Sequence, residues 1–157
     1  MLFRSHAGWV EGIAPYGRLY NARGAKETEA VYIDEYFQTV GLYEFAASRY
    51  ASVFFNHNFG NVLYDKRYSK PEWVVYHAVG IGWLDNANAH TSTQISLQSF
   101  DKGFFESGTG LNNLLRFKYA NVAYFGLGAA LFYRYGAYQF EKPTDNLFFR
   151  GTFSLVF

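Results

Sequence analysis

Apolar and polar side chains alternate one by one over much of this chain. In "NLFFRGTFSLVF" at its end, Leu147, Phe149, Gly151, Phe153, Leu155 and Phe157 fall on one side of an extended backbone, and Asn146, Phe148, Arg150, Thr152, Ser154 and Val156 on the other, because successive strand side chains point to opposite faces. The stretch "VAYFGLGAALFYRY" likewise sets Ala123, Phe125, Leu127, Ala129, Leu131 and Tyr133 against Gly126, Gly128, Ala130 and Arg134. In "FFESGTGLNNLLRF", Glu106, Gly108, Gly110, Asn112 and Arg116 oppose Phe105, Leu111, Leu115 and Phe117, with Ser107, Thr109 and Asn113 blurring the pattern. "WVVYHAVGIGWL" puts Trp73, Val75, Val79, Ile81 and Trp83 on an oily face that His77 interrupts, with small Ala78, Gly80 and Gly82 behind. "SRYASVFFNHNFGNVLY" sets Val53, Phe55, Phe59 and Leu63 against Ser52, Asn56 and Asn58, and "LFRSHAGWVEGI" is a weaker strand of the same style. The pattern predicts about six strands, all of period two.

Most of these stretches run to 12 residues or more, whereas strands of soluble domains run about 5 to 6. A strand tilted across a bilayer needs roughly 9 to 11 residues in the hydrocarbon, with Trp and Tyr at its ends. Trp73 and Trp83 lie ten positions apart on one face, and Tyr50, Tyr64, Tyr119, Tyr133 and Tyr135 fall near strand ends. The links also alternate in length. Counted back from the C-terminus they are about ten residues (Gly136 to Asp145), very short ("KYAN"), long (Asp85 to Gly103), short ("DKRYSKPE") and very long (Ala14 to Ala47). Short turns alternating with long outer loops are the signature of an antiparallel up-and-down transmembrane β-barrel of the bacterial outer membrane, and the alternation puts the C-terminus on the periplasmic side.

Composition agrees. Half of the 157 residues are hydrophobic and 22% aromatic, yet the mean hydropathy is slightly negative, so apolar residues must be interleaved with polar ones. No run approaches the roughly 18 apolar residues of a membrane helix. A formal net charge of +1, without a Lys/Arg block, offers nucleic acid no footprint. With no cysteine, disulfides and thiolate metal sites are excluded.

Backbone groups in lipid must be paired, which only a closed barrel achieves with strands. About six strands fall short of the usual minimum of eight. Residues 1–157 are therefore expected to be the C-terminal part of a larger barrel domain, a fragment whose earlier strands and export signal are missing; Met1 leads into "LFRSHAGWV" without a signal-peptide pattern. The loop from Ala14 to Ala47 is too aromatic for simple disorder and is expected to fold on the outer surface or back into the lumen. No clear 3.6-residue stripe supports a helix between Asp34 and Tyr43.

The strings "YEFAASRYASVFFNHNFG" (Tyr43 to Gly60), "DKGFFESGTGLNNLL" (Asp101 to Leu115) and "FYRYGAY" (Phe132 to Tyr138) resemble the C-terminal barrel region of an uncharacterised family of Bacteroidota outer-membrane proteins, which carry a carboxypeptidase-regulatory-like domain near the N-terminus. The resemblance is best after Tyr43 and weakest before Ala30. It implies location and architecture, and supplies no catalytic residues. Phe157, an aromatic terminus on an oily face, resembles the C-terminal signal that such barrels present to the insertion machinery. The partners expected are thus outer-membrane lipid, that machinery and the missing strands.

Glu106, Arg116, Arg134 and Arg150 all point to the lumen side by alternation. Charges in an apolar wall are costly unless they pair or face water, so the four are expected to form a lumen-facing polar network that braces the barrel and orders an inward loop, or else a lining that tunes passage of a solute. Ser52 and His57 invite a catalytic reading, but five positions at about 3.4 Å put them roughly 17 Å apart on opposite faces. His6, His57, His77 and His90 are scattered, and no metal or cofactor is expected. A local bulge turning His77 inward, or a place at the membrane rim, would account for it. The expected role is structural, transport or surface assembly, without enzyme activity. The alternatives are an outer-membrane hydrolase, with Ser92, Ser96, Ser99 and His90 in long loops, and a soluble β-barrel holding a lipophilic ligand.

Overall fold

The computed structural model describes residues 1–27, 30–85, 97–119 and 123–156, with backbone alone for Tyr16 and Val156. Phe157, His90, Ser92 and Ser96 lie outside these residues. The fold is all-β and antiparallel. Strands β1 (Leu2–Trp9), β4 (Arg49–Asn61), β5 (Glu72–Trp83), β6 (Phe100–Tyr119), β7 (Ala123–Tyr135) and β8 (Leu147–Val156) form one six-stranded sheet in the order β1-β4-β5-β6-β7-β8. Between β1 and β4 an insert carries a small ribbon of β2 (Tyr20–Asn21) and β3 (Ala46–Ala47). The part of the insert from Asp34 to Tyr43 is a succession of turns rather than a helix.

β6, at 20 residues, outruns its expected length because it bends at two irregularities. One lies opposite Gly80–Gly82, where Gly103 takes a φ of +81°; the other lies between Leu111 and Leu115, where Asn113 takes a φ of +57°. Glycine and asparagine are the residues that tolerate this left-handed conformation, and extra residues of this kind sharpen a strand's bend and twist.

Register divides the sheet into two unlike faces. One row runs Arg4, Phe54, Ala78, Glu106 and Arg134 across neighbouring strands, and the adjacent row on the opposite face runs Phe3, Phe55, His77, Ser107, Tyr133 and Leu147. The insert covers the first face. Its Phe37 and Phe45 are 1% exposed and pack on Phe54, Phe100 and Phe104 at ring distances of 4.9 to 5.7 Å. Each phenylalanine so buried contributes roughly 1.5–3 kcal/mol. Gly80 and Gly82 make the room, since a Cβ at Gly82 would come within 2.5 Å of the Phe100 ring and one at Gly80 within 2.8 Å of the Phe37 ring.

The outermost strands, β1 and β8, do not pair with each other among the described residues, and no closed barrel is found. Residues 30–35 of the insert touch both. The Tyr32 N–H donates to the Gly151 carbonyl at 2.7 Å, and the Gly151 N–H donates to the Ala30 carbonyl at 2.8 Å, occupying the free edge of β8. Three and four residues after Val31, Asp34 lies 2.8 Å from the Arg4 guanidinium of β1 and Glu35 pairs with the same group, its second oxygen 3.1 Å from His6 Nε2. The insert thus forms a strap from the last strand to the first.

Candidate functional site

Three of the four charges singled out in the sequence meet beneath the insert, where Glu106, Arg134 and Arg150 are 2%, 3% and 6% exposed. Glu106 accepts from the Gln38 N–H at 2.8 Å, the Thr39 N–H at 3.0 Å and the Thr39 hydroxyl at 2.8 Å. Arg150 Nη2 donates to the carbonyls of Gln38 at 2.6 Å and Ala25 at 3.0 Å. Arg134 Nη2 pairs with Glu44 Oε1 at 2.6 Å, and its guanidinium lies 4.4 Å from the Phe140 ring centre and 5.0 Å from that of Phe104. Glu44 in turn accepts from the Gly41 N–H at 2.7 Å. The Gln38 side chain spans the same turns, donating to the carbonyls of Ile33 and Tyr36, each at 2.7 Å.

The chemistry of this centre is anchoring. Two carboxylates (Glu106, Glu44) face two guanidinium groups (Arg134, Arg150), so formal charge cancels; Glu106 and Arg150 Nη2 bond main-chain groups of the insert that a chain of turns leaves without ladder partners, while Arg134 Nε and Nη1 and Arg150 Nε find no hydrogen-bond partner among the described residues. Breaking such a buried set costs far more than a surface ion pair. A cavity of about 20 Å³ beside it, lined in part by Arg4, Gln38, Asn56 and Glu106, has room for one water molecule.

Arg116 does not join the set. It lies on the same face of β6 but ten positions beyond Glu106, roughly 30 Å along a strand; its guanidinium sits 4.6 Å from the Tyr124 ring centre and its N–H donates to the Tyr68 carbonyl at 2.8 Å. Neighbouring it, Asn113 is turned inward by its left-handed backbone, donates to Glu72 at 3.0 Å and accepts from Ser154.

The opposite, uncovered face carries a second polar cluster. His77 stays on this face, in regular register with Ser107, and no bulge turns it inward. Its Nδ1 lies 2.7 Å from Ser107 Oγ, and the Tyr135 hydroxyl lies 3.1 Å from Ser107 Oγ and 3.4 Å from His77 Nδ1. One row along, Trp73 Nε1 donates to Thr109 Oγ1 at 2.8 Å. Ser52 and His57 occupy opposite faces of β4: Ser52 is buried beside Gly80, whereas His57 packs on Phe59 with ring centres 4.3 Å apart. Reading along single strands missed the His77–Ser107 pair, because the two residues are thirty positions apart and become neighbours only once β5 and β6 are set in register. The signal available was that both break the oily faces of successive strands. Neither a protein-family model, nor a curated protein, nor a solved structure matches this chain.

Proposed function

We propose that the chain is a wall segment of an outer-membrane β-barrel, with an insert folded against its inner face, and that its role is structural or in surface assembly. The observation that carries this reading is the reversed polarity of the two faces. On the uncovered side Leu127, Phe149 and Phe153 are 42%, 67% and 58% exposed, while the charged residues Glu106, Arg134 and Arg150 are withdrawn from solvent on the other. Contiguous exposed apolar surface of this kind marks contact with lipid or another protein, and the alternation of lipid-facing with inward residues is that of membrane strands. The outer edges of β1 and β8, which do not pair with each other among the described residues, are where further strands of the barrel would join, the insert occupying the β8 edge only at Gly151. Phenylalanines and the anchored insert fill the inner side, which favours a structural role over an open passage and leaves little space there for a lipophilic ligand.

The three tryptophans test this directly. Trp9, Trp73 and Trp83 all lie on the uncovered face and are 79%, 39% and 46% exposed. In vesicles containing brominated phospholipid, their fluorescence is expected to be quenched, with protection from aqueous acrylamide. Full quenching by acrylamide with no effect of the brominated lipid would refute the membrane reading.

A further inference from the structure

The uncovered face carries an ionisable residue and its polar partner in an otherwise oily row. In the row Phe3, Phe55, His77, Ser107, Tyr133 and Leu147 the other four members are apolar or aromatic. An ionisable residue on a membrane-facing wall is costly and points to function together with its partner. Here the partner is a hydroxyl at 2.7 Å, the separation at which a base takes a proton from a nucleophile.

We propose that His77 and Ser107 form a base–nucleophile pair on the outer wall of the sheet that hydrolyses carboxylic esters of lipids lying against it, with Tyr135 as hydrogen-bond donor to the ester carbonyl. This rests on the membrane reading above. Two observations make the pair, which Tyr133 faces in the ladder and Tyr135 touches, accessible to a lipid ester. An open depression of about 280 Å³ adjoins Ser107, walled by Leu131, Tyr133 and Leu147, which are suited to an acyl chain. The cluster is half-buried rather than sealed, so substrate can approach.

The steps balance without any redox partner. Ser107 Oγ attacks the ester carbonyl carbon as its proton passes to His77 Nδ1, and the carbonyl oxygen takes up the electron pair. The Tyr135 hydroxyl, 3.1 Å from Oγ, donates to that oxygen. The carbon–oxygen bond to the alcohol breaks, and the leaving oxygen receives the proton from His77, which leaves an acyl group on Ser107. Water then attacks this acyl-enzyme, gives a proton to His77, and releases the fatty acid as the proton returns to Oγ. His77 is thus base, then acid, in each half.

The experiment uses the full chain in phosphatidylcholine vesicles, with a fluorophosphonate probe read by peptide mass spectrometry and a fluorogenic phosphatidylcholine ester as substrate. Expected are a probe adduct on Ser107 and ester hydrolysis, both abolished in Ser107→Ala and His77→Ala. Tyr135→Phe should slow hydrolysis on the order of 10²-fold, the loss typical of one donor to the oxyanion. Brominated-lipid quenching of the tryptophans is measured on every variant, so a variant that has lost its insertion is recognised. Quenched tryptophans with Ser107 unlabelled and no hydrolysis would overturn this proposal while sparing the membrane reading. Absence of quenching in the unsubstituted chain would overturn both. Labelling that survives in His77→Ala would overturn the role of the base.

Discussion

Replacing Glu106 with alanine isolates what holds the insert in place. The carboxylate accepts three hydrogen bonds from Gln38 and Thr39, all in buried surroundings, and its loss leaves two main-chain N–H groups and one hydroxyl without an acceptor. Each stranded donor costs about 1–3 kcal/mol. The guanidinium groups of Arg134 and Arg150 also lose part of their counter-charge, and breaking a buried ionic set costs about 3–5 kcal/mol. These figures overlap, because the same bonds are counted in both, so about 3–5 kcal/mol is the expected loss in the free energy holding residues 37–40 against the sheet. With 1.4 kcal/mol per factor of ten, hydrogen exchange at the Gln38 and Thr39 amides should accelerate by about two to three and a half orders of magnitude. Amides in the centre of β5 should change less, since the ladder does not pass through Glu106's carboxylate. Glu106→Gln, which keeps an acceptor oxygen but turns an NH₂ group towards donors, should fall between the two. Unaltered exchange at Gln38 and Thr39 in Glu106→Ala would refute the anchoring argument.

Two further outcomes follow from the geometry. Gly108→Val should destabilise the sheet by about 1–3 kcal/mol in urea titration, because a Cβ there meets the Phe132 ring and comes within 3.0 Å of the Leu131 carbonyl oxygen; an unchanged midpoint would mean β6 and β7 lie farther apart. The Tyr138 phenol, in the link between β7 and β8, is pushed above its usual value of 10 first by burial and then by the Asp101 carboxylate that accepts its proton at 3.0 Å. Since the fold holds the protonated form, its contribution is complete below pH 10 and is lost as pH rises through the raised value. The ultraviolet difference between the protein and Tyr138→Phe should therefore show a phenol that ionises above pH 10, and ionisation at or below 10 would contradict the contact.

How much was legible follows from what each part of the chain depends on. Strands with one apolar face announce themselves by period two, so the six long strands and their two faces could be placed from residues such as Trp73, Val75 and Val79 against Val74, Tyr76 and Ala78. The blurred positions in β6 had separate causes that alternation alone does not carry: Ser107 and Thr109 stay on the apolar face because each meets a polar group of β5, and Asn113 turns inward at a left-handed backbone position. Glu106, Arg134 and Arg150 were visible as inward charges, but their partners were not, since these are main-chain groups of turns that have no periodic signal. Arg116 shares their parity and not their depth, a distinction that strand length hides.

The strap has a consequence for how the margin of the sheet can be completed. In an antiparallel ladder every second residue turns its main-chain groups away from the neighbour, so on β8 the residues in step with Gly151, among them Phe149 and Phe153, face the free side. Gly151 is already engaged by residues 30 and 32. The Phe149 carbonyl accepts from Arg150 Nη1 at 3.3 Å, so a newcomer docking along β8 would meet engaged groups at Phe149 and Gly151, and could zip through only by evicting its own protein's insert. The outer edge of β8 is thus guarded at its middle, and any strand that joined there would have to compete with a segment tethered only a few residues from the Arg4 pairing on the far margin.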